Sequence, residues 1–274
     1  MTLQQKHEKL KSLFREMDSV AVAYSGGVDS ALVLAVAHSV LNDNTLAVTG
    51  RSASLAQREL EAAMDFAEKL GVEHCVIDTE EVASPNYAAN PVNRCYYCKS
   101  ELYSQLQKVA DQRGLKYIVN GTNVDDLGDH RPGLDSAREA NVRSPLCEAG
   151  MTKQDVRDLA RQLDLPVWDK PAMPCLSSRI PYEQAVTPEK LAMIEKAEDF
   201  LIALGFTQLR VRHYGESARI ELPIEDLPRF YKDNLFEPVR KRFLEIGFKQ
   251  VTVDPEGFRS GRLNEAVSAA IEGK

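Results

Sequence analysis

The stretch Ala21–Leu34, AVAYSGGVDSALVL, constrains this chain more than any other part of it. A run of small and β-branched residues enters two glycines and continues as an apolar run without a turn signal. That order reads as buried strand, tight loop and helix. Glycine lets backbone N–H groups converge, and a helix N-terminus adds partial positive charge. An anion therefore belongs at Ser25, Gly26, Gly27, Val28, Asp29 and Ser30, with the helix beginning near Ser30. No lysine stands in the loop, so this is not the phosphate loop whose Gly-Lys-Ser/Thr ending reaches β- and γ-phosphates. Capping the helix and holding Mg²⁺ both suit Asp29, and the metal is the expected task.

Around this loop, residues 1–170 alternate strands with helices, which predicts an α/β domain with a doubly wound parallel sheet. The strands read as VAVAYS, TLAVTG, HCVIDT and KYIVNG, with VRSPL as a fifth. The clearest helices span 55–70 and 152–163, the second opening on a capping Thr152 with Asp155 at its third helical position. Pro171, Pro174, Pro181 and Pro188 break regular structure, so 171–187 reads as a cysteine-bearing linker. Helix, strand, strand, helix, strand follow over 188–274, a smaller α+β domain.

The segment NGTNVDDLGDHRPG follows the fourth strand, whose end is expected beside the first, where open α/β sheets bind ligands. Gly121 and Asp126 are expected at the nucleotide, with Asp125 and Asp129 as further acids for magnesium and Arg131 as a fork for phosphate or carboxylate. Fold analogy alone assigns residues 48–51 to the adenine. A solvated loop of Asn and Asp turns is the bland alternative.

Five cysteines in a chain without an apolar leader read as thiols, ligands or reagents, not a disulfide framework. Cys95 and Cys98 form a CxxC, which serves zinc, thiol–disulfide exchange and iron–sulfur clusters alike. Cys175 stands in MPCLSSRIPY beside Ser178 and Arg179, a hydroxyl and a guanidinium able to tune a thiol or bind phosphate. Cys75, inside an apolar strand, reads as a small hydrophobe, and Cys147 as structural. Arg210 and Arg212 alternate along a strand and share a face. They could grip a phosphate, but from the residues alone an exposed strand with solvated charges is the preferred reading.

A net charge of −7 tells against a large nucleic-acid footprint, and no apolar run is long enough to span a membrane. A cytoplasmic location is expected.

SGGVDS resembles the PP-loop of enzymes that cleave ATP between its α- and β-phosphates. Taken in order, SGGVDS, GTNVDDLGDHRPG, RSPL, KPAMPCLSSRIPY and RVRHYGESARIEL resemble the LarE family of pyridinium-biscarboxylate mononucleotide sulfur transferases over nearly the whole chain. The resemblance implies ATP and Mg²⁺ as cofactors and a small pyridinium mononucleotide as substrate, whose carboxylates are adenylated and turned into thiocarboxylates for the nickel-pincer nucleotide of lactate racemase. It implies Asp29, Cys175 and Arg179 as catalytic residues, Asp29 and Asp126 at magnesium, and Arg131, Ser178, Arg179, Arg210 and Arg212 at the substrate. A homo-oligomer, a sulfur donor and a downstream nickel-insertion protein are the expected partners. Two sulfur sources occur in the family. One is a [4Fe–4S] cluster on three cysteines, here Cys95, Cys98 and Cys175, and is the expected form. The other is sacrifice of the Cys175 sulfur. Rival readings are another PP-loop ligase or tRNA thiolase, and a nucleotide-binding iron–sulfur sensor without turnover.

Overall fold

The computed structural model describes residues 1–128 and 132–259. The chain forms two compact units, one from Met1–Glu81 with Asn93–Met173, the other from Val82–Val92 with the chain from Pro174 onward. Arg131 and Asp129, expected near the nucleotide, lie outside the described residues.

The first unit runs α1 (Leu3–Met17), β1 (Val20–Ala23), α2 (Val28–Leu41), β2 (Thr45–Arg51), α3 (Gln57–Leu70) and β3 (Glu73–Asp78). The chain then gives the one-turn α4 (Pro85–Ala88) to the second unit. It returns with α5 (Arg94–Arg113), β4 (Tyr117–Val119), α6 (Pro132–Glu139), the one-turn α7 (Pro145–Glu148) and α8 (Lys153–Gln162). The four strands are parallel in the order β3-β2-β1-β4. Both neighbours of β1 are reached in opposite directions from it, so the chain reverses its winding between β1 and β4. The loops leaving those two strands consequently meet at the carboxyl end of the sheet, the place where such sheets bind ligands. The expected fifth strand is only one parallel bridge, Val119 to Arg143, because Pro145 starts α7 two residues later.

Helix α2 explains why this half holds together. Ala31 through Ala37 are all buried, so it is apolar on every side and packs between the sheet, α1 and α8. Each fully buried leucine there, Leu32 and Leu34, contributes about 2 kcal/mol. Thr152 and Asp155 form the expected reciprocal cap, which fixes where α8 begins.

The second unit continues with a 3₁₀ turn at Leu176–Arg179, α9 (Pro188–Ala203), β5 (Arg210–Tyr214), β6 (Ser217–Glu221), α10 (Leu227–Lys232), α11 (Phe236–Ile246) and β7 (Gln250–Val253). Strands β5 and β6 are antiparallel and β6 and β7 parallel, in the order β5-β6-β7. Val211, Ala218 and Ile220 pack against Phe206, Phe230, Phe243 and Phe248. Alternation puts Arg210, Arg212, Arg219 and Glu221 on the opposite face. The Val82–Val92 segment is sewn in by Asn90, whose amide donates to the carbonyls of Ile180, Pro181 and Gln184 at 3.3, 2.6 and 3.0 Å.

Candidate active site

Gly27 is the N-cap of α2, which starts at Val28. The helix therefore begins two residues earlier than the sequence suggests, and Asp29 sits inside its first turn instead of capping it. No side chain caps α2. Its first-turn amides, which have no intrahelical acceptor, are thus available to an anion. The loop is shaped from within. The Ser30 hydroxyl accepts from the Ser25 amide at 3.2 Å, donates to the Gly27 carbonyl at 3.1 Å and lies 3.1 Å from the Ser25 hydroxyl. Gly26 has φ +72°, and a Cβ there would approach Ala63 of α3 to 3.2 Å. Both its conformation and its neighbour require glycine.

The loop after β4 closes on this turn. A Cβ at Gly121 would lie 2.7 Å from the Ser30 nitrogen and 2.9 Å from the Asp29 carbonyl carbon. Gly121 thus lets two backbones meet. Asn123, almost fully buried, donates from its amide to Asp29 Oδ1 at 3.0 Å and accepts the Asp125 amide at 3.0 Å. Asp126 accepts the Asn123 amide at 3.0 Å. Asp29 and Asp126 are therefore linked through Asn123, two hard carboxylate donors beside a phosphate loop, a donor set suited to magnesium shared with phosphate oxygens. Asp125 instead accepts the Lys153 amide at 2.8 Å and ties α8 to the loop.

Two lysines that sequence reading missed reach the loop from far along the chain. Lys153 Nζ lies 2.5 Å from Asp29 Oδ2. Lys170 Nζ donates to the Gly26 carbonyl at 3.2 Å and pairs with Glu59 at 2.8 Å. At the end of β2, the segment expected at the adenine is braced: Thr49 donates to the Tyr24 carbonyl at 2.7 Å, and Arg51 forks onto Asp78. Just beyond it Ser52 and Ser54 both donate to one oxygen of the buried Glu81. Neither serine nor Glu81 was foreseen.

The cysteines separate by unit. Cys95 and Cys98 occupy the first two turns of α5, three residues apart and so on one helical face. Cys175 precedes the 3₁₀ turn of the second unit and is half-buried. Among the described residues no group of three His, Cys, Asp or Glu side chains is gathered closely enough to hold a metal. The donor chemistry of the CxxC pair suits two positions of an iron–sulfur cluster. Cys147 donates to the Thr122 carbonyl at 3.2 Å, and burial, then the Asp126 and Glu148 charges, push its thiol up to about 11. Cys75 packs within the β3 side of the core.

In the second unit Arg179 is 1% exposed and forks onto Glu198 at 2.8 and 3.0 Å. Its remaining nitrogen donates to the carbonyls of Pro174 and Cys175 at 2.6 and 3.2 Å and to the Ser178 hydroxyl at 3.0 Å. It clamps the backbone around Cys175 instead of facing outward. Arg212 donates to Glu221 at 2.9 and 3.0 Å and to the Ser178 carbonyl at 2.8 Å. Burial, then the neighbouring Arg179 charge, pulls the Arg210 guanidinium down to about 10. Arg179, Arg210 and Arg212 thus lie with Glu198 and Glu221, and Arg219 on the same sheet face pairs with Asp254 at 2.8 Å.

Comparison with known proteins bears on this geometry. The family described as NAD synthase matches residues 3–92, which contain the loop and the first three strands. An uncharacterized protein of Synechocystis is 47% identical over 97% of this chain and 99% of its own. The pyridinium-3,5-bisthiocarboxylic acid mononucleotide synthase of Lactiplantibacillus plantarum is 38% identical over 98% of this chain and 97% of its own. A tRNA-specific 2-thiouridylase of Rickettsia africae is 29% identical over 57% of this chain and 53% of its own. With a lysine-flanked phosphate loop at the switch point of its sheet and near full-length likeness to that synthase, the chain belongs to the LarE family of ATP-dependent sulfur transferases.

Proposed function

We propose that this enzyme adenylates the carboxylates of a pyridinium mononucleotide and converts them to thiocarboxylates on the route to the nickel-pincer nucleotide. The observation that carries the reading is the joining, in one chain with near full-length likeness to a bisthiocarboxylate synthase, of an uncapped phosphate loop with a clamped Cys175. A substrate carboxylate oxygen attacks the α-phosphorus of ATP, and the bond to the β-phosphate oxygen breaks with its electron pair leaving on pyrophosphate. Sulfur then adds to the acyl carbon and AMP departs. The α2 amides and the Ser25 hydroxyl hold the phosphates, with Gly26, Gly27 and Gly121 keeping backbone close. Asp29 and Asp126 would hold Mg²⁺, which supplies charge neutralisation to the polyphosphate. Arg210 and Arg212, with Ser178 and Arg131 as further candidates, take the substrate phosphate, and the position of both strand arginines on one face of β5 supports that assignment.

For the sulfur source we favour a [4Fe–4S] cluster on Cys95, Cys98 and Cys175, supported by the cysteine pair on one face of α5. Such a cluster supplies a sulfide as nucleophile when bound. A second reading, sacrifice of the Cys175 sulfur with formation of dehydroalanine, is supported by the Arg179 bonds that fix the backbone at Pro174 and Cys175. Function in the cytoplasm as a homo-oligomer, with a sulfur donor and a nickel-inserting protein as partners, belongs to the same proposal.

The test is substrate-dependent exchange of pyrophosphate into ATP, together with iron content after anaerobic purification. Exchange without the pyridinium substrate, or with another acid only, overturns the substrate. If the cluster reading holds, Cys95→Ala, Cys98→Ala and Cys175→Ala each abolish iron binding and sulfur transfer while exchange persists. Loss of transfer in Cys175→Ala alone, with spent protein lighter by one hydrogen sulfide, establishes the sacrificial route.

A further inference from the structure

Cys175 opens the 3₁₀ turn at Leu176–Arg179, and the Ser178 amide donates to its carbonyl at 2.9 Å. Arg179 holds that carbonyl and the one before it, and is itself held by its fork on Glu198 of α9. One anchor fixes a point on the turn. A second, on another element, is needed to fix its orientation.

The second anchor comes from the Val82–Val92 segment, which belongs to the same unit as Cys175. Tyr87, on α4, is 1% exposed, and its hydroxyl lies 2.7 Å from that of Ser177, a wholly buried residue in the middle of the turn. Three residues on, the fully buried Asn90 donates to the carbonyls of Ile180, Pro181 and Gln184, and the Val186 amide donates to the Ala88 carbonyl at 2.8 Å. The stretch that follows Cys175 is thus held along its length by one segment. A phenylalanine at position 87 would bury the same ring. A buried hydroxyl costs stability unless it is bonded, so packing alone gives no reason for tyrosine there. What the hydroxyl adds is a directional contact two residues from Cys175.

We infer that Tyr87 is a positioning residue for Cys175: through Ser177, its hydroxyl sets the orientation of the turn that presents the cysteine. This rests on the sulfur transfer proposed above, and it serves Cys175 equally as cluster ligand or as reagent. Tyr87 takes no part in the bonds that form and break.

The experiment compares Tyr87→Phe, Ser177→Ala and the double variant with the parent, each as the full chain and well below its unfolding midpoint. Sulfur transfer at saturating substrate should fall about tenfold in each, the equivalent of one hydrogen bond, while pyrophosphate exchange and the KM values for ATP and the pyridinium substrate change less than about twofold. The double variant should match the single ones, because both remove the same contact. Deuterium uptake over residues 176–180 should quicken about tenfold in all three. Parental transfer with a lowered unfolding midpoint would make Tyr87 a packing residue and overturn the inference. A parallel fall in pyrophosphate exchange and transfer, or additive losses in the double variant, would do the same. The deuterium measurement needs no substrate. Parental protection of 176–180 in Tyr87→Phe therefore sinks the inference even where the proposed substrate proves wrong, and lost protection there upholds it.

Discussion

Gly121 and Ser30 touch backbone to backbone across the two strand ends: a methyl group on Gly121 would lie 2.7 Å from the Ser30 nitrogen. That nitrogen belongs to the turn that shapes the phosphate loop. Gly121→Ala should therefore push the β4 loop away from α2, costing about 1–3 kcal/mol of stability and at least roughly tenfold in ATP affinity. Thermal unfolding and nucleotide titration check both numbers. Unchanged ATP affinity would mean that the two loops separate without disturbing the phosphate site.

Asp29→Asn preserves shape and the bond from Asn123 while removing the charge that faces Lys153. Folding should be retained, and magnesium-dependent pyrophosphate release should fall by about 10²-fold or more. Release at the parental rate removes Asp29 from the mechanism.

Arg179 and Glu198 are a fully buried pair, and the clamp on Cys175 hangs from it. Removing one partner leaves a charge in the interior, so Glu198→Gln and Arg179→Met should each destabilise the protein by about 3–5 kcal/mol in urea. The double replacement Arg179→Met with Glu198→Leu should recover much of that stability without recovering sulfur transfer. A double variant that transfers normally would show that the clamp is not needed around Cys175.

Burial, then the Asp126 and Glu148 charges, pushes the Cys147 thiol up from the ordinary 9.0 to about 11. Below pH 9 folded and unfolded chains both carry the proton. Between 9 and about 11 the unfolded chain ionises first, so this group's contribution to stability is lost as pH rises. Alkylation of Cys147 in the folded protein should stay slow at pH 8 and accelerate toward pH 11. Replacement by Ser should flatten the alkaline decline in stability, and rapid labelling at pH 8 would contradict the burial that holds the thiol neutral.

What could be read directly from the residues is local. The strand, loop and helix around Ser25–Ser30 lie within one continuous stretch, so periodicity and glycine placement disclose them without knowledge of the rest of the fold. Lys153 meets Asp29 across 124 positions, and no periodicity connects the two. A usable signal existed all the same. Thr152 marks a helix start, and in an α/β unit a helix approached from a strand's carboxyl end begins on the ligand side. Glu198 had a signal as well. Leu191, Ile194 and Leu201 share its stripe on α9, and a carboxylate among core residues calls for a buried cation. That its partner is the arginine of the CLSSR stretch required the three-dimensional structure. The start of α2 was misplaced because Gly27, not a polar side chain, occupies the cap.

The Val82–Val92 segment carries a consequence for the order in which this protein is made. Tyr87 and Asn90 bond to Ser177, Ile180, Pro181 and Gln184, partners 90 to 94 positions later. On the ribosome this segment emerges long before the residues that receive it, and the chain between builds most of the other half of the first unit. The polar groups of Tyr87 and Asn90 must stay hydrated until those partners arrive, so the second unit closes only after a loop of that length has been drawn shut. Synthesis halted near Met173 would leave the segment without the partners that pin it.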